Sequence, residues 1–162
     1  MGREIERKFL VVSDAWRAMA DGGGAIEQGY LSSNAKATVR VRIVDGERAV
    51  LTLKGRAKGL VRAEYEYPIP LADARELMGM ARPHVIEKRR HTLRHGGLLW
   101  EVDVFAGRHA GLVLAEVELD AEDQAVELPD WVGREVSDDK RFYNASLSRA
   151  EGLPVAREPE EE

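Results

Sequence analysis

The sequence predicts a mainly β protein of the α+β kind: an eight-stranded antiparallel β-barrel with a few flanking helices. Eight segments alternate in polarity with the period of two that a strand requires. The connections SNAK, DGE and AKG have the turn residues that join antiparallel neighbours. Antiparallel strands that follow one another in this way can close into a barrel, which removes exposed sheet edges.

The predicted strands are separated by short connections over most of the chain. They cover residues 4–11, 25–32, 37–44, 48–56, 60–69, 84–95, 98–107 and 112–120. Most are rich in valine, isoleucine, leucine or aromatic residues, which favour pleated, half-buried segments. A barrel of eight strands has an interior wide enough for packed side chains or for one small ligand.

Three helical segments complete the predicted fold. Residues 14–23 form a short helix with Asp14 as its N-cap, and residues 137–150 form a helix that starts at a serine and two aspartates. The segment 72–81 is helical and ends before a proline, which cannot continue a helix. We expect one tunnel domain over residues 1–150 and an acidic, flexible tail over residues 151–162.

Composition excludes several classes of function. The 162 residues include 24 basic and 29 acidic side chains, giving a net charge of −5 and no global basic field for nucleic acid. Without cysteine, a metal must be held by oxygen or imidazole ligands, which makes Mg²⁺ the natural candidate. The charged N-terminus and the absence of a long apolar run predict a cytoplasmic protein that does not enter membranes.

Charged residues recur two positions apart in nearly every predicted strand, so each pair shares one face. The acidic pairs are Glu4 and Glu6, Glu64 and Glu66, Glu101 and Asp103, and Glu116 and Glu118. The basic pairs are Arg40 and Arg42, and Lys88 and Arg90. A single pair of this kind is usual on a solvent-facing strand. Segregation by sign over so many strands instead predicts charged faces that turn inward and line a cavity.

A cavity lined by both signs fits a polyanion that arrives with a divalent cation. Carboxylates bind Mg²⁺, which keeps waters and phosphate oxygens as its other ligands. Arginine and lysine bind phosphate groups. A metal-bridged triphosphate satisfies both sets of groups, and its hydrolysis would rely on positioning and charge stabilisation.

The ordered motifs resemble the CYTH superfamily, the triphosphate tunnel metalloenzymes, and in particular its small bacterial inorganic triphosphatases. The segment EIERK at residues 4–8 is similar to the ExExK signature of that family. The resemblance continues through RVR, LTLKG, EYEY, VIEKRR, WEVDVF, AEVEL and GREVSDDKRFYN, and covers about residues 3 to 148. The family fold is an eight-stranded antiparallel tunnel, which agrees with the strand pattern.

The resemblance implies a role for each charged group. The implied metal ligands are Glu4, Glu6, Asp103, Glu116 and Glu118, with Mg²⁺ as the expected ion and Mn²⁺ as the alternative. The implied triphosphate-binding residues are Lys8, Arg40, Arg42, Lys54, Arg62, Lys88, Arg90 and Lys140, of which Lys8, Lys88 and Arg90 are expected to be catalytic. Glu64 and Glu66 resemble a further acidic pair that orients the basic groups or binds a second metal.

The expected function is metal-dependent hydrolysis of a phosphoanhydride bond in inorganic triphosphate, to pyrophosphate and phosphate. The alternatives are a thiamine or nucleoside triphosphatase, a class IV-type adenylyl cyclase, and a non-catalytic module that binds polyphosphate or a nucleotide. No adenine site is evident, which favours inorganic triphosphate, and the complete set of acids and bases argues against a binding module. We expect a monomer or homodimer whose partner is the small-molecule substrate.

Several other residues are expected outside the site. Arg89 is out of phase with its two basic neighbours, so it should lie outside the barrel. The tryptophans Trp16, Trp100 and Trp131 are expected to pack on the outside of the strands. The histidines show no shared spacing for a metal, and His91 and His95 are expected on the surface.

Overall fold

A computed structural model describes residues 2–154 and contains a closed barrel of eight antiparallel strands with one short additional strand. The strands are β1 (Arg3–Val11), β2 (Gly24–Ser33), β3 (Ala37–Val44), β4 (Arg48–Gly55), β5 (Val61–Ile69), β6 (Val85–His95), β7 (Leu98–Phe105), β8 (Val113–Glu118) and β9 (Val132–Glu135). The predicted eight-stranded barrel is confirmed, and β9 is the strand that was not predicted. Residues 155–162 of the predicted tail lie outside the described residues.

Strand β1, which carries the first charged motif, closes the barrel. The strand order is β5, β4, β3, β2, β6, β7, β8 and β1, and β1 pairs back to β5 through Glu4 opposite Arg62. On its other side, β1 pairs with β8, which places Glu6 opposite Glu118 and Lys8 opposite Glu116. The short β9 pairs with Phe9 and Val11 on the edge of β1 opposite β8, beyond the stretch that β5 covers. Because side chains alternate along a strand, the facing charges of β1 and β8 all project to the same side of the sheet.

The α-helix α1 (Leu71–Ala81) covers one part of the outer surface, close to the predicted segment 72–81. Its Met78 packs against Val41 on β3 in an apolar cluster. A Cβ atom at Gly29 would lie 2.7 Å from the Cβ of Ala81 and 2.8 Å from the sulfur of Met78, so glycine allows the helix to approach β2 closely. Within the described chain, neither α1 nor the short C-terminal helix is long and apolar enough to cross a membrane.

A second apolar cluster covers β1, β7 and β8 from outside and contains all three tryptophans. The ring centroids of Trp100 and Trp131 are 5.7 Å apart, edge to face. Trp16 reaches this cluster from a 3₁₀ turn at Ala15–Ala18, which replaces the predicted helix over residues 14–23. His91 is only 8% exposed and its ring lies against Trp16, with the ring centroids 5.0 Å apart, so its predicted surface position is wrong.

A third apolar cluster closes one end of the barrel interior. It consists of Tyr30, Ile86, Phe105, Leu112, Leu114, Val136, Phe142 and Leu147. The predicted helix over residues 137–150 is split here into a 3₁₀ turn at Lys140–Phe142 and helix α2 (Asn144–Arg149). The side chain of Asp139 accepts a hydrogen bond from the backbone N–H of Arg141, which stabilises the separate turn.

Candidate active site

A central cavity of about 730 Å³ occupies the charged part of the barrel interior. Of the predicted site residues, the following line it: Glu4, Glu6, Lys8, Arg40, Arg42, Lys54, Arg62, Glu64, Glu66, Lys88, Arg90, Glu116, Glu118 and Lys140. Within one strand, lining residues are separated by two positions, so they lie on the same, inward face of that strand. Asp103 is the one predicted site residue that is not part of the cavity lining.

Two of the four acids on β1 and β8 lack a basic partner in the described part of the chain. Among the described residues, no ion pair joins Glu6 or Glu118 to a basic side chain, although the two stand opposite each other across the strands. Like charges in facing positions repel. Burial, followed by the charges of Glu116 and Glu4, raises the pKa of Glu6 to about 8. A cation placed between these strands would relieve this repulsion.

We expect the metal-free protein to lose stability as the pH rises from about 5 to about 7. The folded protein retains a proton on Glu6 up to its pKa of about 8, whereas the unfolded chain releases it near the ordinary glutamate pKa of 4.5, so rising pH favours unfolding in this window. Burial raises the pKa of Glu4 and Glu101 too, which acts in the same direction. Thermal unfolding in EDTA at several pH values should therefore give a falling Tm.

The matched control for this effect is the Glu6→Gln variant, in which the slope of Tm against pH should be smaller. The pKa values of Glu116 and Asp103 are lowered, so these two carboxylates change protonation only below the window. Because the pKa of Lys88 is lowered to about 7, its contribution to stability changes only above about pH 7, where it rises with pH. An equal slope in both proteins would contradict the assignment of the effect to Glu6.

The basic groups at the deep end of the cavity are held by acceptors. Lys8 is 7% exposed, and its Nζ lies 3.4 Å from Oε1 of Glu116 and donates to the backbone oxygen of Phe142 at 3.2 Å. Burial opposes ionisation of Glu116, but Lys8 and Arg90 outweigh it and lower the pKa of Glu116 to about 2. Lys8 and Glu116 are therefore both charged at neutral pH.

Lys88 and Arg90 surround the carboxylate of Asp103. Lys88 Nζ lies 2.8 Å from Oδ2 of Asp103 and donates to Oδ1 of Asn144 at 2.9 Å. Arg90 donates from Nε to Oδ1 at 2.8 Å and from Nη2 to Oδ2 at 2.9 Å. Burial lowers the pKa of Lys88 to about 7; Asp103 opposes this shift, and Arg90 and Arg42 add to it. A bound anion would raise that pKa and keep Lys88 charged.

The opposite wall of the cavity presents arginines without carboxylate partners among the described residues. Arg40 donates from Nη2 to Oγ1 of Thr52 at 3.2 Å, while its buried Nε has no partner there. Arg42 donates to Oε1 of Gln28 at 2.9 Å. Burial, followed by the charges of Arg40 and Arg90, lowers the pKa of Arg42 to about 10. Buried guanidinium groups with free donors are suited to an anion.

Residues nearer the cavity rim are more exposed and partly paired. Lys54 Nζ lies 2.7 Å from Oε1 of Glu4 and 3.3 Å from Oε2 of Glu64. Glu66 and Lys140 also face the rim and are exposed to solvent. Lys54 therefore bridges the acids of β1 and β5 across the barrel closure.

The acidic side chains fit a hard divalent cation in charge and in donor atoms, since carboxylate oxygens are its usual ligands. Glu6 and Glu118 have no ion pair among the described residues, and burial, followed by the neighbouring charges of Glu116 and Glu4, raises the pKa of Glu6. Within residues 2–154, however, no three acidic or histidine side chains are already gathered into a set of metal ligands. Binding would therefore draw the carboxylates of β1 and β8 together.

Two polar residues of the site were missed from sequence. Gln28 is fully buried and donates from its amide nitrogen to Oδ1 of Asn144 at 2.9 Å. Asn144 also accepts the hydrogen bond from Lys88. The inward phase of Gln28 on β2 was a usable signal, whereas Asn144 lies in α2 and follows no strand pattern. Arg89, by contrast, lies outside as predicted and donates to backbone oxygens of Gly22 and Gly23.

Comparison with known proteins identifies relatives over nearly the whole chain. The profile of the CYTH domain matches residues 2–148. An inorganic triphosphatase of Acetivibrio thermocellus is 43% identical over 148 residues, which are 91% of this chain and 94% of that protein. One from Nitrosomonas europaea is 38% identical over 152 residues, covering 90% of this chain and 96% of that protein.

Comparison with solved structures also identifies an inorganic triphosphatase as similar to this chain. The crystal structure of an inorganic triphosphatase superposes with a TM-score of 0.67 at 34% identity, covering 92% of this chain and 96% of that one. The matched region contains every residue of the central cavity named above. The chain therefore belongs to the CYTH domain family.

Proposed function

We propose that the protein hydrolyses inorganic triphosphate to pyrophosphate and phosphate in the central cavity, with the help of a divalent metal ion. One observation carries this proposal: among the described residues, Glu6 and Glu118 lack a basic partner, and they share a buried cavity with arginines that lack carboxylate partners. In a metal-bound triphosphate, the cation would neutralise the acids and the phosphate oxygens would pair with the arginines. The names of the two curated relatives, both inorganic triphosphatases, support inorganic triphosphate over thiamine or nucleoside triphosphates.

The basic residues would bind and orient the substrate. Arg40, Arg42 and Arg62 present guanidinium donors to phosphate oxygens along the wall formed by β3 and β5. Lys8, Lys88 and Arg90 lie at the deep end, where they would stabilise negative charge that develops on the transferred phosphoryl group. Because their ammonium and guanidinium groups are already fixed by protein acceptors, little reorganisation is needed during the reaction.

The acidic residues would hold the metal. Glu4, Glu6, Glu116 and Glu118 are the carboxylates of the cavity that belong to β1 and β8. A bound Mg²⁺ or Mn²⁺ ion supplies charge neutralisation and lowers the pKa of a coordinated water. Glu64 and Glu66 on β5 would hold the rim lysine and arginines in place, since Glu64 already pairs with Lys54.

We further propose Mg²⁺ as the working ion, with Mn²⁺ as a substitute, because hard carboxylate ligands suit both. The net charge of −5 supports a small-molecule substrate rather than nucleic acid. We also propose that the enzyme acts in the cytoplasm as a monomer or homodimer, away from membranes.

The purified protein should release phosphate and pyrophosphate from tripolyphosphate when Mg²⁺ or Mn²⁺ is present. Thiamine triphosphate and ATP, assayed beside it with detection of cyclic AMP, test the organic triphosphates. We expect kcat/KM for tripolyphosphate to exceed the other two by at least about tenfold, which corresponds to about 1.4 kcal/mol of differential transition-state binding. EDTA should abolish activity. Faster turnover of an organic triphosphate, or formation of cyclic AMP, would contradict the proposal. Absence of activity on all three substrates would favour a binding module.

A further inference from the structure

We propose that Asp103 is a positioning residue that fixes Lys88 and Arg90 for the substrate, and that it does not bind the metal. This inference rests on the proposed function, since it concerns how the same cavity is organised. Asp103 is 1% exposed and lies behind the two cations, outside the cavity lining. Its place in the site therefore differs from that of the acids on β1 and β8.

Both oxygens of the Asp103 carboxylate are already occupied by cations. Oδ1 accepts from Arg90 Nε at 2.8 Å, and Oδ2 accepts from Arg90 Nη2 at 2.9 Å and lies 2.8 Å from Lys88 Nζ. A metal ligand needs a lone pair directed at the ion. Of the roughly four lone pairs of a carboxylate, three on Asp103 face nitrogens of Arg90 and Lys88, and the group is buried. Lys88 and Arg90 together hold the Asp103 pKa below its usual range despite its burial, so the carboxylate stays ionised.

Strand pairing explains why one carboxylate reaches both cations. Asp103 on β7 stands directly opposite Arg90 on β6, and Lys88 lies two residues away on the same face of β6. Directly opposite and diagonal neighbours on one face of an antiparallel pair are within reach of long side chains. The contact therefore follows from the register of β6 and β7.

These contacts limit the directions in which the cations can act. Lys88 Nζ has three N–H groups, of which Asp103 and Asn144 occupy two, so the tetrahedral third is left for the cavity that Lys88 lines. Arg90 uses Nε and Nη2 on Asp103 and Nη1 on Glu101, at 2.9 Å. These contacts fix the plane of the Arg90 guanidinium group, and with it the directions of the N–H groups that remain free. Asp103 fixes which N–H groups can meet a phosphate oxygen.

This role predicts a specific change in kinetics. Loss of the Asp103 charge leaves the cavity more positive, so attraction of the triphosphate should not weaken. Loss of orientation should instead reduce stabilisation of the transition state. We therefore expect the Asp103→Asn variant to lower kcat by about 10- to 100-fold, as supporting residues commonly do, with KM within about threefold of the wild type.

The decisive comparison is with metal affinity. Titration with Mn²⁺ in the absence of substrate should give Asp103→Asn an affinity within about threefold of the wild type, whereas Glu6→Gln should lose at least about tenfold. A loss in Asp103→Asn as large as that in Glu6→Gln would identify Asp103 as a ligand and overturn the inference. A wild-type kcat in Asp103→Asn would overturn it as well.

A double variant tests whether Asp103 acts through Lys88. We expect the loss of kcat in Lys88→Met/Asp103→Asn to be clearly smaller than the product of the two single losses, because the part of the Asp103 contribution that acts through Lys88 is already gone in Lys88→Met, while the part that acts through Arg90 remains. Additive losses would overturn the inference. If Asp103→Asn fails to fold, Mn²⁺ titration of Lys88→Met/Asp103→Asn beside Lys88→Met still tests whether Asp103 is a ligand, since the double variant removes a cation and an anion together.

The Mn²⁺ titration also separates this inference from the proposed function. It needs no turnover, so it reports on Asp103 as a ligand even if the wild-type protein does not hydrolyse tripolyphosphate. A wild type that turns over while Asp103→Asn loses Mn²⁺ affinity would refute the inference and leave the proposed function intact.

Discussion

Replacement of Glu6 by glutamine should abolish triphosphate hydrolysis and, in the absence of metal, stabilise the fold. We expect kcat/KM for tripolyphosphate to fall by roughly 10³-fold, the upper end of the loss for one group that stabilises charge in a transition state. We expect the Tm of the metal-free protein at about pH 7.5 to rise. If about 1 kcal/mol is released, the increase would be about 2–4 °C for a chain of this size.

The two effects have one cause. Glu6 faces Glu118 across the strands and has a pKa of about 8 because of burial and the neighbouring charges of Glu116 and Glu4. Holding this acid in the cavity costs the metal-free protein stability, and a bound cation would reverse that cost. Glutamine keeps the size of the side chain but removes both the repulsion and the ligand.

Three measurements check this prediction: steady-state hydrolysis, Mn²⁺ titration, and thermal unfolding with and without metal. Wild-type Tm should rise with added Mg²⁺, and Glu6→Gln should respond much less. The matched control is Glu87→Gln, an exposed acid on the outer face of β6, which should change neither activity nor Tm appreciably. A Glu6→Gln variant that keeps its Mg²⁺ response would show that the metal is held elsewhere.

Most of the fold could be predicted because the barrel imposes a period of two on nearly every strand. The four-residue β9 is too short to show that period, and it pairs with β1 at Phe9 and Val11, beyond the stretch that β5 covers on the same edge. The C-terminal segment looked like one helix because its residues favour a helical start at Ser137. Tyr143 adopts an extended backbone between the 3₁₀ turn and α2, so the segment divides there.

The period of two also predicted which side chains point inward, but not how deep along the barrel axis each one lies. Asp103 has the same inward phase as Glu101, yet the next inward residue on β7 is Phe105 of the closing apolar cluster. Depth depends on strand stagger and on which loops cover each end, and neither leaves a local pattern in the sequence. For this reason Asp103 could be predicted to face inward but not to be shielded behind Lys88.

Replacement of Lys8 by methionine should remove activity and stability together, in contrast to the Glu6 variant. We expect kcat/KM for tripolyphosphate to fall by about 10²- to 10³-fold, since Lys8 would stabilise charge on the transferred phosphoryl group. The change also leaves Glu116, which is buried, with Arg90 as its only remaining cation among the described ion pairs, at 3.8 Å. Loss of one partner of a buried pair costs about 3–5 kcal/mol.

Thermal unfolding and activity assays well below the Tm of the variant distinguish chemistry from instability. Lys8→Arg retains the charge and should recover stability more than activity, because its larger planar group cannot reproduce the contact with the Phe142 oxygen. Arg7→Met is the matched control: Arg7 is the preceding residue, points outward and pairs with Glu135 at the surface. It should cost at most about 1 kcal/mol and leave kcat unchanged.

The two variants together test the charge arrangement of the cavity. If Glu6 and Glu118 form a site for a cation, loss of Glu6 stabilises the metal-free barrel. Loss of Lys8 instead removes the charge that neutralises Glu116 and destabilises the barrel. If the cavity were already neutralised by its own ion pairs, both variants would leave a buried charge alone and both would destabilise. Opposite signs of the change in Tm would therefore support a cavity organised for an absent cation and its phosphate ligand, and equal signs would refute it.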